Sequence, residues 1–260
     1  MILGIPSLIS GYEITECTGI DDANICETYK GKNIQQKPVI IVAYNMKVLE
    51  RSSSKEAYLQ ELSCRKVLYS PSFLPILEEI SIKSKGRNIL MMVFKTLPSM
   101  MPLDEKLRLG CIKKEDAWSV IMDIIIGIRE VSYKSKGISQ LALDSNTIYV
   151  YLDKRDNLRG IISSFLHTDK SWQFSLALLI TKIIKGTHLQ LPLDDSAALQ
   201  NRTSKHKKDN CSQGDLARCI RKALDSNPNK RYLSVEEFIK ALIHFCPFRM
   251  PTTFECFGRA

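Results

Sequence analysis

The stretch Leu224-Asp-Ser-Asn-Pro-Asn-Lys-Arg-Tyr-Leu-Ser234 lies between two segments of amphipathic helical pattern, Asp215 to Leu224 and Ser234 to Phe245. The second opens with Ser234-Val-Glu-Glu, a capping box in which serine and glutamate side chains satisfy free amides of the first turn. Upstream, residues 192–214 are polar and turn-rich and hold the one local basic cluster, Lys205-His-Lys-Lys208. Before them Ser171 to Lys185 is almost wholly apolar and stops at Gly186, which predicts a core helix with a glycine cap. Ile148 to Leu152 and Leu158 to Ile162 flank Asp153-Lys-Arg-Asp-Asn157 and read as a hairpin. Glu115 to Val131 sets Trp118, Ile121, Ile124, Ile125 and Ile128 on one helical face. This part of the chain is helical.

Residues 12–95 follow a different period. Tyr12 to Cys17, Ile25 to Lys30 and the β-branched run Val39 to Tyr44 read as strands. Ser54 to Leu68, with Tyr58, Leu59 and Leu62 between acidic residues, reads as a helix. Two more strands, Glu79 to Lys83 and Asn88 to Phe94, surround the turn Ser84-Lys-Gly-Arg87, and Pro98 and Pro102 mark a linker.

Composition narrows the class. The 260 residues are 44% hydrophobic and 25% charged, an ordinary globular balance that excludes wholesale disorder. Eight cysteines without a C-x-x-C give neither a disulfide scaffold nor a zinc ribbon, and His167, His188, His206 and His244 stand too far apart for a metal set. No membrane span is expected, because the longest apolar run, Phe174 to Ile184, is about half a span and holds Lys182. The opening residues lack the basic lead of a signal peptide, so a cytoplasmic protein with reduced thiols is expected. The 37 basic and 28 acidic residues give +9, but they are interspersed, so a solvated surface is expected and nucleic acid is not the expected partner.

The order of β-rich lobe, helix, linker and helical lobe resembles the eukaryotic protein-kinase fold. Tyr12-Glu-Ile, Gly19 and Tyr29-Lys-Gly resemble the first two kinase strands and their glycine-rich loop. Val42-Ala-Tyr-Asn45 stands where V-A-I-K belongs, and Tyr58-Leu-Gln-Glu-Leu62 resembles helix αC. Leu68 to Ile76 resembles the L-x-H-P-x-I-L approach to the fourth strand, and Ile89 to Phe94 the fifth strand, with Met92 as gatekeeper. Gly137 to Asn146 overlays the catalytic loop, Phe174 to Leu179 resembles helix αF, and Leu224 to Ser234 resembles the L-x-x-D-P-x-x-R-P-T near the kinase C-terminus.

The resemblance implies an α+β, bilobal fold, with a β-rich N-lobe bearing one helix and a mainly helical C-lobe. It divides the chain into an extension (1–11), N-lobe (12–95), hinge (96–104), C-lobe (105–246, with the polar loop 192–214) and tail (247–260). It also exposes what is missing. Kinase chemistry needs a glycine loop and a lysine on the phosphates, Asp and Asn ligands for Mg²⁺, and an Asp that takes the substrate proton. The loop keeps only Gly19, followed by Asp21, Asp22, Ala23 and Asn24, whose carboxylates would repel phosphate. Asn45 takes the lysine slot, Leu141 the catalytic Asp slot and Leu143 that of the phosphate-contacting lysine. The D-F-G segment aligns with Ile162-Ser-Ser or Ser163-Ser-Phe, without its Asp. Only nine residues, 163–171, run from Ser163 to the start of the αF-like segment at Trp172, too few for an activation segment, and no A-P-E triplet exists. Trp172 also takes the place of the αF Asp that buttresses the catalytic loop, as though the loop needed no tether.

The expectation is therefore a pseudokinase without ATP or Mg²⁺, acting as scaffold or allosteric regulator of a protein partner such as an active kinase or another signalling protein. Gly19, Ala43, Lys47, Glu61, Met92 and Asn146 are the residual cleft candidates. The alternatives are an unconventional kinase or nucleotide switch, with Lys47 as a displaced lysine opposite Glu61 and Asn146 as ligand, and a basic nucleic-acid-binding module using Lys205 to Lys208. Leu141, Leu143 and Ile162 are expected to form an apolar seam where catalytic groups would stand.

Overall fold

The computed structural model describes residues 2–20, 25–51, 55–56, 59, 63, 71–84, 86–110, 112–134, 141–143, 145, 147–163, 166–167, 172–186 and 208–244. The first lobe is a six-stranded antiparallel sheet: β1 (Ser7–Ile9), β2 (Tyr12–Ile20), β3 (Cys26–Lys32), β4 (Pro38–Asn45), β5 (Ile76–Ser84) and β6 (Arg87–Lys95). Their order in the sheet is β1-β2-β3-β4-β6-β5. A short helix, α1 (Met46–Leu49), follows β4. Of the segment expected to be helical before β5, Lys55, Glu56, Leu59 and Ser63 are helical, and Glu61 lies outside the described residues.

The sheet curls until the Tyr12 hydroxyl, at the start of β2, donates to Glu78 Oε2 on β5 at 2.7 Å. Ile14, Tyr29, Ile41, Ala43, Met91 and Val93 pack together on one face of the curl. The residues read as an extension belong to this lobe, since β1 pairs with β2 and Leu3 is buried in the same cluster. Leu3 N–H donates to the Tyr29 hydroxyl at 2.9 Å, while Glu27, itself 4% exposed, accepts from Ile2 N–H and from that hydroxyl. A buried carboxylate is tolerable only with such donors.

The linker region is also structured: β7 (Met101–Pro102) pairs with β9 (Ile148–Leu152), and α2 (Leu103–Leu109) starts immediately after it. Next come α3 (Lys114–Lys134), β8 (Leu141–Ala142), β9, β10 (Leu158–Ile162) and β11 (Leu166–His167), and then α4 (Trp172–Lys185), α5 (Lys208–Ala223) and α6 (Val235–Ile243). The β9–β10 hairpin has the boundaries its sequence implies. Helix α5 begins at Lys208, well inside the stretch read as loop, because a packed apolar face propagates a helix through weak formers such as Asn210, Ser212 and Gly214. The Ser234 hydroxyl accepts from Glu237 N–H at 3.1 Å, and Glu237 Oε2 accepts from Leu233 N–H at 2.8 Å, so the serine half of the predicted box is met and the glutamate reaches one residue further back.

The second core joins α3, α4, α5 and α6 with one face of the hairpin. Two glycines let α3 and β10 approach. A Cβ on Gly127 would stand 2.7 Å from Ile162 Cδ1, and one on Gly160 would stand 3.1 Å from the Val120 carbonyl oxygen. Asp123 fixes the same junction by accepting from Arg159 Nε at 2.9 Å, Arg159 Nη2 at 2.5 Å and Gly160 N–H at 2.9 Å. No described helix is long and apolar enough to cross a membrane.

Candidate functional site

Strand β4 decides which side chains meet the second lobe. Every residue from Val39 to Asn45 is buried, and alternation sends neighbours to opposite faces. Val39, Ile41 and Ala43 join the cluster that contains Leu3 and Ile14. Ile40, Val42 and Tyr44 join a different one, with Cys26, Met92 and Phe94 from the first lobe and Tyr149 and Ile161 from the second. The cleft-facing set is thus Val42 and Tyr44, with Met92 paired beside Val42. Ala43 is turned away, one residue out of step with the V-A-I-K reading.

The hairpin makes the opposite wall. Tyr149 pairs with Ile161 on the face toward the first lobe, whereas Ile148 and Ile162 pair on the face toward α3. Ile162 therefore does not line the cleft, contrary to the sequence reading, and Leu143 shares its core with α3 and α4. The Leu141 side chain and all of Asn146 lie outside the described residues. Tyr149 is 3% exposed, on the face of β9 that joins the first-lobe cluster. Burial pushes this phenol up to about 12, with Thr18 pulling the other way, so it stays neutral at physiological pH.

The remaining slots have structural occupations. Asn45 caps α1, its Oδ1 accepting from Val48 N–H at 3.4 Å. That cap ends the strand, so Lys47 lies exposed on α1 rather than on the continued β4 that the displaced-lysine alternative assumed; Glu61 lies outside the described residues. Gly19 sits in β2 opposite Thr28, where an added Cβ would make only an ordinary 3.9 Å contact. Ser163 donates both its N–H and its hydroxyl to the Thr147 carbonyl, at 2.8 and 2.9 Å. Among the described residues no group of three His, Cys, Asp or Glu could hold a metal ion.

The sequence reading missed Tyr44, Tyr149 and Ile161. The alternation Ile148-Tyr-Val-Tyr-Leu152 carried the signal for Tyr149, since a strand with one aromatic and one aliphatic face packs between two different layers.

Solved structures resemble this architecture over nearly its whole length. A double-mutant kinase domain of PknI from Mycobacterium tuberculosis matches with a TM-score of 0.61 at 14% identity, covering 95% of this chain and 100% of the other. The same kinase domain without substitutions gives 0.60 at 13% identity, covering 94% and 99%. This chain has a protein-kinase-like fold. A pseudokinase in its apo form also matches, with a TM-score of 0.60 at 15% identity, covering 90% of this chain and 89% of that one. No family model and no curated protein matches the sequence. In kinase-like terms, β1 to β6 form the N-lobe, and Tyr149 and Ile161 rise from the C-lobe into the interlobe face.

Proposed function

We propose that this chain is a pseudokinase: a kinase-like scaffold that has given up phosphoryl transfer and works by binding a protein partner. The carrying observation is the interlobe packing of Val42, Tyr44, Met92 and Phe94 against Tyr149 and Ile161. Phosphoryl transfer is catalysed by positioned charge, and β4 offers no lysine, while an aromatic ring stands where the two lobes meet. The Asn45 cap and the Ser163–Thr147 bonds give two catalytic slots tasks in holding the fold. A fold kept without its chemistry acts through its surface, and an active kinase or another signalling protein is the partner class that fold-level analogy supplies.

Thermal unfolding with millimolar ATP and Mg²⁺ is the test. A ligand at 100 times its Kd stabilises a fold by about 2.7 kcal/mol, a shift of several degrees. The expected result is no Mg²⁺-dependent shift and no phosphotransfer to a generic substrate. A reproducible rise in Tm with nucleotide would overturn the reading.

A further inference from the structure

Helix α4 is mostly apolar, and Lys182 lies on its exposed side, in its last turn. Its Nζ donates to Ser145 Oγ at 2.6 Å and to Asp104 Oδ1 at 2.5 Å, and the Ser145 hydroxyl lies 3.2 Å from the same carboxylate oxygen. Asp104 N–H donates to the Ser145 carbonyl at 3.4 Å, and Arg108 Nε stands 3.6 Å from Asp104 Oδ2. Three elements meet here: the first turn of α2, the turn between β8 and β9, and the last turn of α4. Ser145 is 2% exposed, so its hydroxyl has no recourse to water if Lys182 is lost.

We propose that Asp104, Ser145 and Lys182 form a conformational clip that holds the turn after β8 against α2 and α4. Trp172 takes the slot of the Asp that, by the kinase resemblance, would tether this loop; the clip supplies a tether ten residues further along the same helix, where the sequence reading expected none. The turn is thus anchored twice, at Ser145 by the clip and at Thr147 by Ser163. The ion pair alone would hold little, because Lys182 is half exposed and Asp104 is 30% exposed. The buried hydroxyl between them converts a surface pair into a three-way joint. This clip is independent of whether the cleft takes nucleotide.

Hydrogen exchange read by mass spectrometry on the full chain tests it. Lys182→Met keeps the apolar stem and removes the charge; exchange across Leu143 to Thr147 and the start of α2 should rise three- to tenfold, with α3 and α6 unchanged. Lys182→Arg should restore much of the protection. Ser145→Ala leaves only the half-exposed Asp104–Lys182 pair and should raise exchange both around residue 145 and at the start of α2, as Lys182→Met does. Parent-like exchange in Lys182→Met, or an equal rise in α3 and α6, would overturn the clip.

Discussion

Tyr149 on β9 and Tyr44 on β4 belong to one buried cluster that crosses from one lobe to the other. In a kinase-like fold these strands bound the nucleotide site from below and above, so the packing draws together surfaces that a bound nucleotide would hold apart. Val42, Met92 and Phe94 complete the cluster around the two rings.

Tyr149→Ala should therefore cost about 3–5 kcal/mol, the range for emptying a large aromatic site in a packed core. Tyr149→Phe keeps the ring and removes only the hydroxyl, so it should cost at most about 1 kcal/mol. Paired urea melts would separate the two. An alanine variant that melts like the parent would mean that the lobes are not packed through this residue.

Asn45→Lys returns the residue type that phosphoryl transfer needs to the slot read from sequence. Asn45 is 8% exposed, caps α1 and succeeds Ala43 on the face turned away from the C-lobe. The substitution should lose about 1 kcal/mol of capping, and more from a buried ammonium, while conferring no nucleotide binding. Parent-like stability with a new ATP-dependent Tm shift would show that the slot faces the cleft after all.

The slip at β4 shows where sequence reading stops. Val39 to Tyr44 is apolar throughout because both faces of the strand are covered, so its pattern contains no alternation to fix which side looks inward. A one-residue error in such a strand exchanges every side chain between faces. The β9–β10 hairpin was legible to the residue, since Asp153 to Asn157 is strong turn chemistry: Asp153 Oδ1 accepts from Arg155 N–H and Asn157 N–H at 2.8 and 3.0 Å. Strand β1 was not legible, because three residues without periodicity become a strand only by pairing with β2. The clip was likewise hidden: Asp104 and Lys182 are far apart in sequence, and nothing local ties either to Ser145.

Gly127→Ala tests how closely α3 sits on β10. An exposed helical glycine gains up to about 1 kcal/mol on becoming alanine. Here the new methyl would meet Ile162 Cδ1 at 2.7 Å and Ser72 Cβ at 3.0 Å. Ile162 is fully buried and cannot swing aside freely, so overpacking should prevail and the variant should be destabilised by about 1–2 kcal/mol in a denaturant melt. A more stable variant would show that α3 stands further from the hairpin.

The Asp123–Arg159 pair makes a prediction with a pH signature. Asp123 is almost wholly buried, and burial raises its carboxyl above the ordinary range, against the pull of the Arg159 guanidinium and the Gly160 amide. Arg159→Met leaves that carboxylate with Gly160 N–H alone. Breaking a buried pair typically costs about 3–5 kcal/mol; Arg159 is 43% exposed, so about 2–4 kcal/mol is expected at pH 7. The sign with pH follows from the raised folded-state value. A carboxyl that binds its proton more tightly when folded contributes stability while protonated, and loses it as pH rises through the folded-state value. Removing Arg159 raises that value further, so the variant's deficit should be smallest near pH 4 and grow toward pH 7. Urea melts of parent and variant at both pH values would measure it, and a deficit that is equal at the two, or larger at pH 4, would exclude a buried charge as its source.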